Sequence, residues 1–375
     1  MYDPAARPSP SLAFLWPALA AAAAGDMASL VARRLSEFAI GGADSQPARE
    51  PPWTTPNTVA LELKTVRLRD FTVGPREQPT LLCAPFALHG AAVTDLATGH
   101  SLVAALQQAG LQHLFVTDWR SATSDMRFLA IDDYLADLNV LVDAIGAPID
   151  LIGLCQGGWM SLIYAARFPG KVRKLVLAGA PVDIAAAPSA LSALADSSPL
   201  AIYREFVHLG DGLLPGRNVL KFWGSERLDA EDIRQLLQTD QTIGSPGFAR
   251  LQAAFEIWNA FTVDLPGTFF LECVDKLYKR NELATGRFVA LGKTIDLASV
   301  TTPVFLLAGR DDELVAPQQL FSVERLVGTA AENLRKAIAP CRHVGLFIGE
   351  RTLQDIWPGI AHWLLGATAG RAAME

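Results

Sequence analysis

The chain has 375 residues, 50% of them hydrophobic and 19% charged, which suits one large α/β domain or a domain with an insertion and excludes a disordered or fibrous protein. The net charge of -7 offers no basic surface for nucleic acid or an anionic membrane. Cys83, Cys155, Cys273 and Cys341 are widely scattered and form no CxxC pair, which argues against a zinc site or a disulfide framework.

Residues 12–24 are apolar, with an alanine run that mimics a secretory signal. Only Arg7 charges its flank positively, Asp3 offsets that charge, and Pro17 interrupts the run. The run is too short to span a bilayer. Apolar residues then recur at helical spacing at Met27, Leu30, Val31, Leu35 and Phe38. The stretch reads as one or two helices packing on the domain or on an apolar surface, with a targeting signal as the alternative. Residues 41–57 are rich in Gly, Pro, Ser and Asp and read as a linker, so that 1–57 form an N-terminal extension.

From residue 58 strands and helices alternate. Residues 59–63 and 65–71 suggest an antiparallel hairpin, and 80–83 a short buried strand ending at Ala84-Pro85. A helix is predicted over 102–109, capped by Gly110, then a strand over 113–117 that closes on Asp118-Trp119. Residues 131–145 are amphipathic with a 3.6-residue period, ended by Gly146. Next come a β-prone stretch at 149–152, a turn, a helical pattern at 158–168 ended by Pro169-Gly170, and a strand at 172–177. This rhythm predicts a mostly parallel sheet covered by helices on both faces. It breaks over 183–297, a helical segment rich in aromatics such as Tyr203, Phe222, Trp223, Trp258, Phe269 and Tyr278, and resumes with a strand at 302–309. We therefore expect a core built from 58–182 and 298–375, with 183–297 inserted as a cap over the strand ends. The cap aromatics fit ordinary packing and an apolar acyl channel alike.

The turn after the strand at 149–152 reads Gly153-Leu154-Cys155-Gln156-Gly157. Strand, tight turn and helix with a nucleophile at the turn make a nucleophile elbow, here with cysteine. The glycines follow from sterics: the nucleophile sits on a strained turn, and neighbours two before and two after must be nearly free of side chain. The following helix points its N-terminus at the sulfur and favours the thiolate. Strand, spacing and helix together favour this reading over a small buried core cysteine.

A cysteine nucleophile needs a base, and the base an orienting acid, in the chain order nucleophile, acid, base. His343 lies in a loop between a last strand and the final helix, whereas His362 lies in an apolar helical run and His208 in the cap, so His343 is the expected base. The acid should follow the strand ending at Gly309. Asp312, three residues on, is the expected acid and Asp311 its rival. Oxyanion stabilisation is expected from the backbone N–H of Gln156 and from that of Phe86 or Ala87. Trp159 and His89 are candidate substrate contacts, His89 alternatively a turn histidine. Lys276, Lys279, Arg280, Arg287 and Lys293 could hold coenzyme A phosphates or form a solvated charged face. No metal site is expected.

Several segments together resemble the polyhydroxyalkanoate synthases, particularly their short class III catalytic subunits, and the related intracellular polyhydroxyalkanoate depolymerases. They are Asp95-Leu96-Ala97-Thr98-Gly99-His100-Ser101-Leu102-Val103, Thr117-Asp118-Trp119 with Asp132-Asp133-Tyr134, the cysteine box Gly153-Leu154-Cys155-Gln156-Gly157-Gly158, Tyr278-Lys279-Arg280-Asn281-Glu282-Leu283, Ile295-Asp296-Leu297, and His343-Val344-Gly345. The resemblance runs from about residue 80 to 365 and implies an alpha/beta-hydrolase fold and a Cys155–His343–Asp312 triad. It implies acyl transfer from 3-hydroxyacyl thioesters or esters, with coenzyme A as part of a substrate and no resident cofactor. It also implies a cytoplasmic or granule-associated protein, and is compatible with a homodimer or a partner subunit. Trp159 stands where synthases carry Thr and Glu313 where they carry His, while Gly309-Arg310-Asp311-Asp312 resembles the depolymerases. Synthesis and degradation both stay open, beside a granule-associated scaffold without turnover.

Overall fold

The computed structural model describes residues 48–74, 77–222 and 228–366. The predicted N-terminal helices or signal, residues 41–47 of the linker, and Trp223 lie outside the described residues.

Eight strands form one sheet: β1 (Thr58–Glu62), β2 (Val66–Asp70), β3 (Thr80–Cys83), β4 (Leu114–Trp119), β5 (Ile149–Leu154), β6 (Val172–Ala178), β7 (Val304–Gly309) and β8 (Leu334–Ala339). Their order is β1-β2-β4-β3-β5-β6-β7-β8. From β4 to β8 every pairing is parallel, while β1–β2 and β2–β4 are antiparallel. The expected hairpin is thus the edge of the sheet, and β1, mostly exposed, is its margin.

The central strands are buried along their whole length, as parallel strands covered on both faces must be. Their side chains divide with period two. Leu81, Leu151, Leu175, Leu177 and Leu306 enter one hydrophobic cluster, and Leu82, Ile152, Val176, Phe305 and Leu307 enter the other. Helices α2 (Ile131–Ile145) and α3 (Gln156–Arg167) cover the first face. Helix α1 (Leu102–Gln108) and the last helix, Trp357–Leu365, cover the second. The fold is the predicted mostly parallel α/β sheet flanked by helices.

The chain between β6 and β7 carries helices at Ala190–Ser197, Leu200–Leu209, Gly216–Phe222, Ala230–Leu236, Pro246–Ala260 and Gly267–Glu272. Its apolar side chains do not form a core of their own. Tyr203, Phe206 and Phe269 join the first cluster, whereas Phe248, Phe255 and Trp258 join the second. Phe86, in the loop after β3, stacks on Tyr134 of α2 at 4.7 Å and meets Phe269 at 5.2 Å, so one aromatic contact ties sheet, covering helix and inserted segment together.

This packing predicts a contrast in stability. Leu307→Ala, fully buried on a central strand, should cost about 2–5 kcal/mol, through lost transfer free energy and a cavity. Ile338→Ala on β8, 49% exposed, should cost under about 1 kcal/mol. Denaturant unfolding of the two variants measures the gap, and equal losses would contradict the assignment of the core.

Candidate active site

The site forms at the carboxyl ends of the parallel strands. After β5, Cys155 takes φ 48 and ψ −117, a conformation that a non-glycine residue rarely adopts, and helix α3 begins at the next residue. Three glycines make this turn sterically feasible. A Cβ on Gly153 would sit 2.6 Å from the Cα of Gly158, one on Gly157 would collide with the carbonyl oxygen of Cys83, and one on Gly158 with the Cβ of Ala180. The helix therefore lies almost against its own strand and against the ends of β3 and β6. Its N-terminal dipole points at Cys155.

Asp312 lies in the turn after β7. Its Oδ1 accepts the backbone N–H groups of Leu314 at 2.9 Å and Val315 at 2.8 Å, which fixes the carboxylate. Its Oδ2 lies 2.7 Å from Nδ1 of His343, in the loop after β8. Both side chains are buried, while Asp311 points to solvent. Gly179, at φ 57, leaves room for the imidazole, since a Cβ there would lie 3.1 Å from His343 Cε1. Phe347 meets the ring edge-on at 5.5 Å. His343 Nε2 is buried without a hydrogen-bond partner. Burial opposes the imidazolium, but the Asp312 carboxylate and the Cys155 sulfur outweigh it and hold the pKa of His343 well above the usual histidine range. The arrangement can take a proton from a thiol and hold the resulting charge.

The other expected site residues fall in different places. The carbonyl oxygens of Cys83 and Ala84 face Gly157, so the loop carrying Phe86 and Ala87 begins against the elbow. The N–H of Gln156, at the first turn of α3, is among those a helix leaves without an internal partner. Trp159 is fully buried and donates its indole N–H to Oε1 of Gln156. His89 lies against the Phe261 carbonyl oxygen at 3.4 Å and the Trp258 ring at 4.6 Å. Desolvation pushes its pKa down to about 4, so it is neutral, and it braces the loop after β3 against the inserted segment. His208 and His362 are exposed on helices.

The basic residues of 276–293 are engaged within the chain in part. Lys276 pairs with Glu272, Arg280 with Asp275 and Glu282, and Lys279 donates to the Ala195 carbonyl. Glu313 accepts from Arg342 at 3.0 Å, so a second polar pair runs beside Asp312–His343. Among the described residues no group of three or more His, Cys, Asp or Glu side chains could hold a metal ion.

Two side chains at the site carry no individual role in the sequence reading, which names Tyr278 only among the cap aromatics and within a motif. Tyr278 and the amide of Gln156 both line a cavity of about 110 Å3 beside the elbow, with Phe86, Phe269 and Cys273. The motif that contains Tyr278 signals its importance, but no sequence spacing places it against residue 156.

A family model described as alpha/beta hydrolase fold matches residues 89–350. The chain is 30% identical over 281 residues to the poly(3-hydroxyalkanoate) polymerase subunit PhaC of Synechocystis sp., covering 72% of this chain and 74% of that protein. It is 26% identical over 299 residues to the corresponding subunit of Allochromatium vinosum, covering 77% of this chain and 82% of that protein. Among solved structures it resembles the monoacylglycerol lipase of Paleococcus ferrophilus, with a TM-score of 0.51 and 14% identity over 80% of this chain and 98% of that one, a likeness of fold alone.

Replacing Asp312 by Asn removes a charge that raises the His343 pKa, so His343 should titrate at lower pH in the variant, as followed by NMR of its ring protons. The sign carries over to stability. Asp312 favours the imidazolium, a stabilisation fully present below the ordinary histidine pKa, about 6.5, and lost as pH rises through the raised folded value. The melting-temperature gap between wild type and Asp312→Asn should therefore narrow as pH rises. Asp311→Asn should leave both readouts unchanged. If it acts like Asp312→Asn, the Asp312 assignment fails.

Proposed function

The chain belongs to the alpha/beta hydrolase fold family and is a distant relative of the poly(3-hydroxyalkanoate) polymerase subunits, and on that premise we propose that it is an acyl-transfer enzyme acting on 3-hydroxyacyl thioesters through Cys155, His343 and Asp312. The observation that carries this reading is the strained Cys155 turn beside a buried imidazole whose Nδ1 is held by Asp312 and whose Nε2 is unpartnered.

In the first half-reaction His343 takes the Cys155 proton and the sulfur attacks the thioester carbonyl. The new Cys155–acyl C–S bond forms through an oxyanion held by the backbone N–H of Gln156 and a donor from Phe86 or Ala87. The carbon–sulfur bond to coenzyme A breaks, and His343 returns the proton to the departing sulfur. In the second half-reaction His343 removes the proton of an acceptor hydroxyl. Its oxygen attacks the acyl carbon, the bond to Cys155 breaks, and the proton passes to the cysteine sulfur. Asp312 fixes the tautomer and stabilises the imidazolium in both halves. The helices of 183–297 act as a cap whose apolar lining limits competing water.

The same groups would serve a depolymerase or oligomer hydrolase, with water as the second nucleophile. Glu313, beside Asp312 where synthases carry His, favours that second reading. The relatives and the apolar cavity favour transfer to a hydroxyl.

Cys155→Ala should reduce turnover below about a hundredth of wild type with little change in melting temperature. His343→Gln should lose nearly as much, and His362→Gln little. A larger loss at His362 would remove His343 from the role of base. Incubation with 3-hydroxybutyryl-coenzyme A, followed by mass analysis, separates the two reactions. Oligomers of two or more units support transfer. Free 3-hydroxy acid alone, together with shortening of supplied polymer, replaces the synthase reading with the depolymerase reading.

A further inference from the structure

The helix Gly267–Glu272 continues as a π-helix over Cys273–Lys279. This winding is rare and recurs at functional sites, because the wider turn re-aims the side chains it carries. Its exit is anchored. Asn281 takes φ 46, its amide donates to Asp183 Oδ1 at 2.7 Å, and its oxygen accepts the Ile184 N–H at 3.1 Å. Asp183 also pairs with Arg325. The π-turn is thereby fastened to the loop after β6.

The side chain so positioned is Tyr278. Its ring is half-buried, and it lines one cavity with the side chain of Gln156, within electrostatic reach of Cys155 and Cys273. Burial holds the phenol far above the usual tyrosine range, so it stays a neutral donor. The shared cavity is otherwise apolar, walled by Phe86, Leu194, Phe269, Phe270 and Val274, and the Tyr203 hydroxyl donates to the Leu194 carbonyl at 3.3 Å. Trp159 settles which way the Gln156 amide faces. An indole N–H can only donate, so the Gln156 oxygen faces Trp159 and its NH2 group is left for the cavity it shares with Tyr278. A phenol O–H on that cavity can donate to an oxygen bound there.

We propose that Tyr278 is a specificity-determining residue whose phenol O–H donates to the 3-oxygen of an acyl group carried on Cys155, in the cavity it shares with the Gln156 amide that Trp159 holds. The assignment rests on the acyl-transfer reading above and adds how a hydroxyacyl group is told from a plain acyl group. An apolar pocket with one fixed donor disfavours a chain lacking the oxygen, because the buried phenol would then be left unpaired.

The test compares 3-hydroxybutyryl-coenzyme A with butyryl-coenzyme A on the full chain. Acylation of Cys155 is read as first-turnover release of coenzyme A and as the mass of the intact protein. Wild type should be acylated about 10- to 100-fold faster by the hydroxy substrate. Tyr278→Phe should lower that rate to near the butyryl rate, while the butyryl rate moves less than about threefold. The comparison is a ratio within one sample, so partial unfolding of the variant cancels. Equal losses with both thioesters would make Tyr278 a packing residue and overturn the proposal, as would a preference that survives the substitution. Equal wild-type rates overturn it without any variant. An adduct from neither thioester overturns the acyl-transfer reading itself.

Discussion

The left-handed backbone of Cys155 is the constraint on which the rest of the site depends. A non-glycine residue at φ 48 is costly and persists only when its surroundings over-determine it. Here they do. Cys155 donates its N–H to the Ala178 carbonyl at the end of β6, and its helix lies so close to β3, β5 and β6 that Gly153, Gly157 and Gly158 cannot carry side chains. The same close approach brings the ends of these strands to one point, where the loops after β7 and β8 deliver Asp312 and His343. Open parallel sheets place their ligands at the carboxyl ends of the strands, and this sheet converges its polar side chains there.

Electrostatics at that point follows from burial. A lone imidazole so deep would lose its proton, since burial alone pushes its pKa down, as it does for His89. His343 goes the other way because Asp312 lies 2.7 Å from its Nδ1. Asp312 is held there because two backbone N–H groups fix its other oxygen. Geometry and protonation are thus set by the same few hydrogen bonds.

Other residues of the resemblance motifs hold the elements around the site. Asp95 accepts from the Thr55 backbone and hydroxyl and from Ser101. Asp118 pairs with Arg69 across the β2–β4 contact, and Asp132 accepts the Leu291 N–H at 2.8 Å, tying α2 to the inserted segment. Tyr134 lies within the aromatic cluster of Phe86, Trp119 and Phe269. These contacts give the motif residues a role in holding the elements around the site together.

The sequence by itself determined what short-range physics can encode. The short apolar β-prone runs of the strands, the 3.6-residue period and Gly146 stop of α2, and the glycine spacing around Cys155 are all visible in runs of a few residues. They sufficed to place the strands, the elbow, and His343 and Asp312 as the candidates that the fold brings together. Only the tertiary structure decided the sharing of the inserted segment between both hydrophobic clusters, the bracing position of His89, and the cavity shared by Gln156 and Tyr278. The last sets residues 156 and 278, far apart in the chain, on one cavity wall, with Tyr278 carried by a π-turn fastened by Asn281 to Asp183. Such contacts arise from how packed elements meet across the core, and no local period or spacing carries that information.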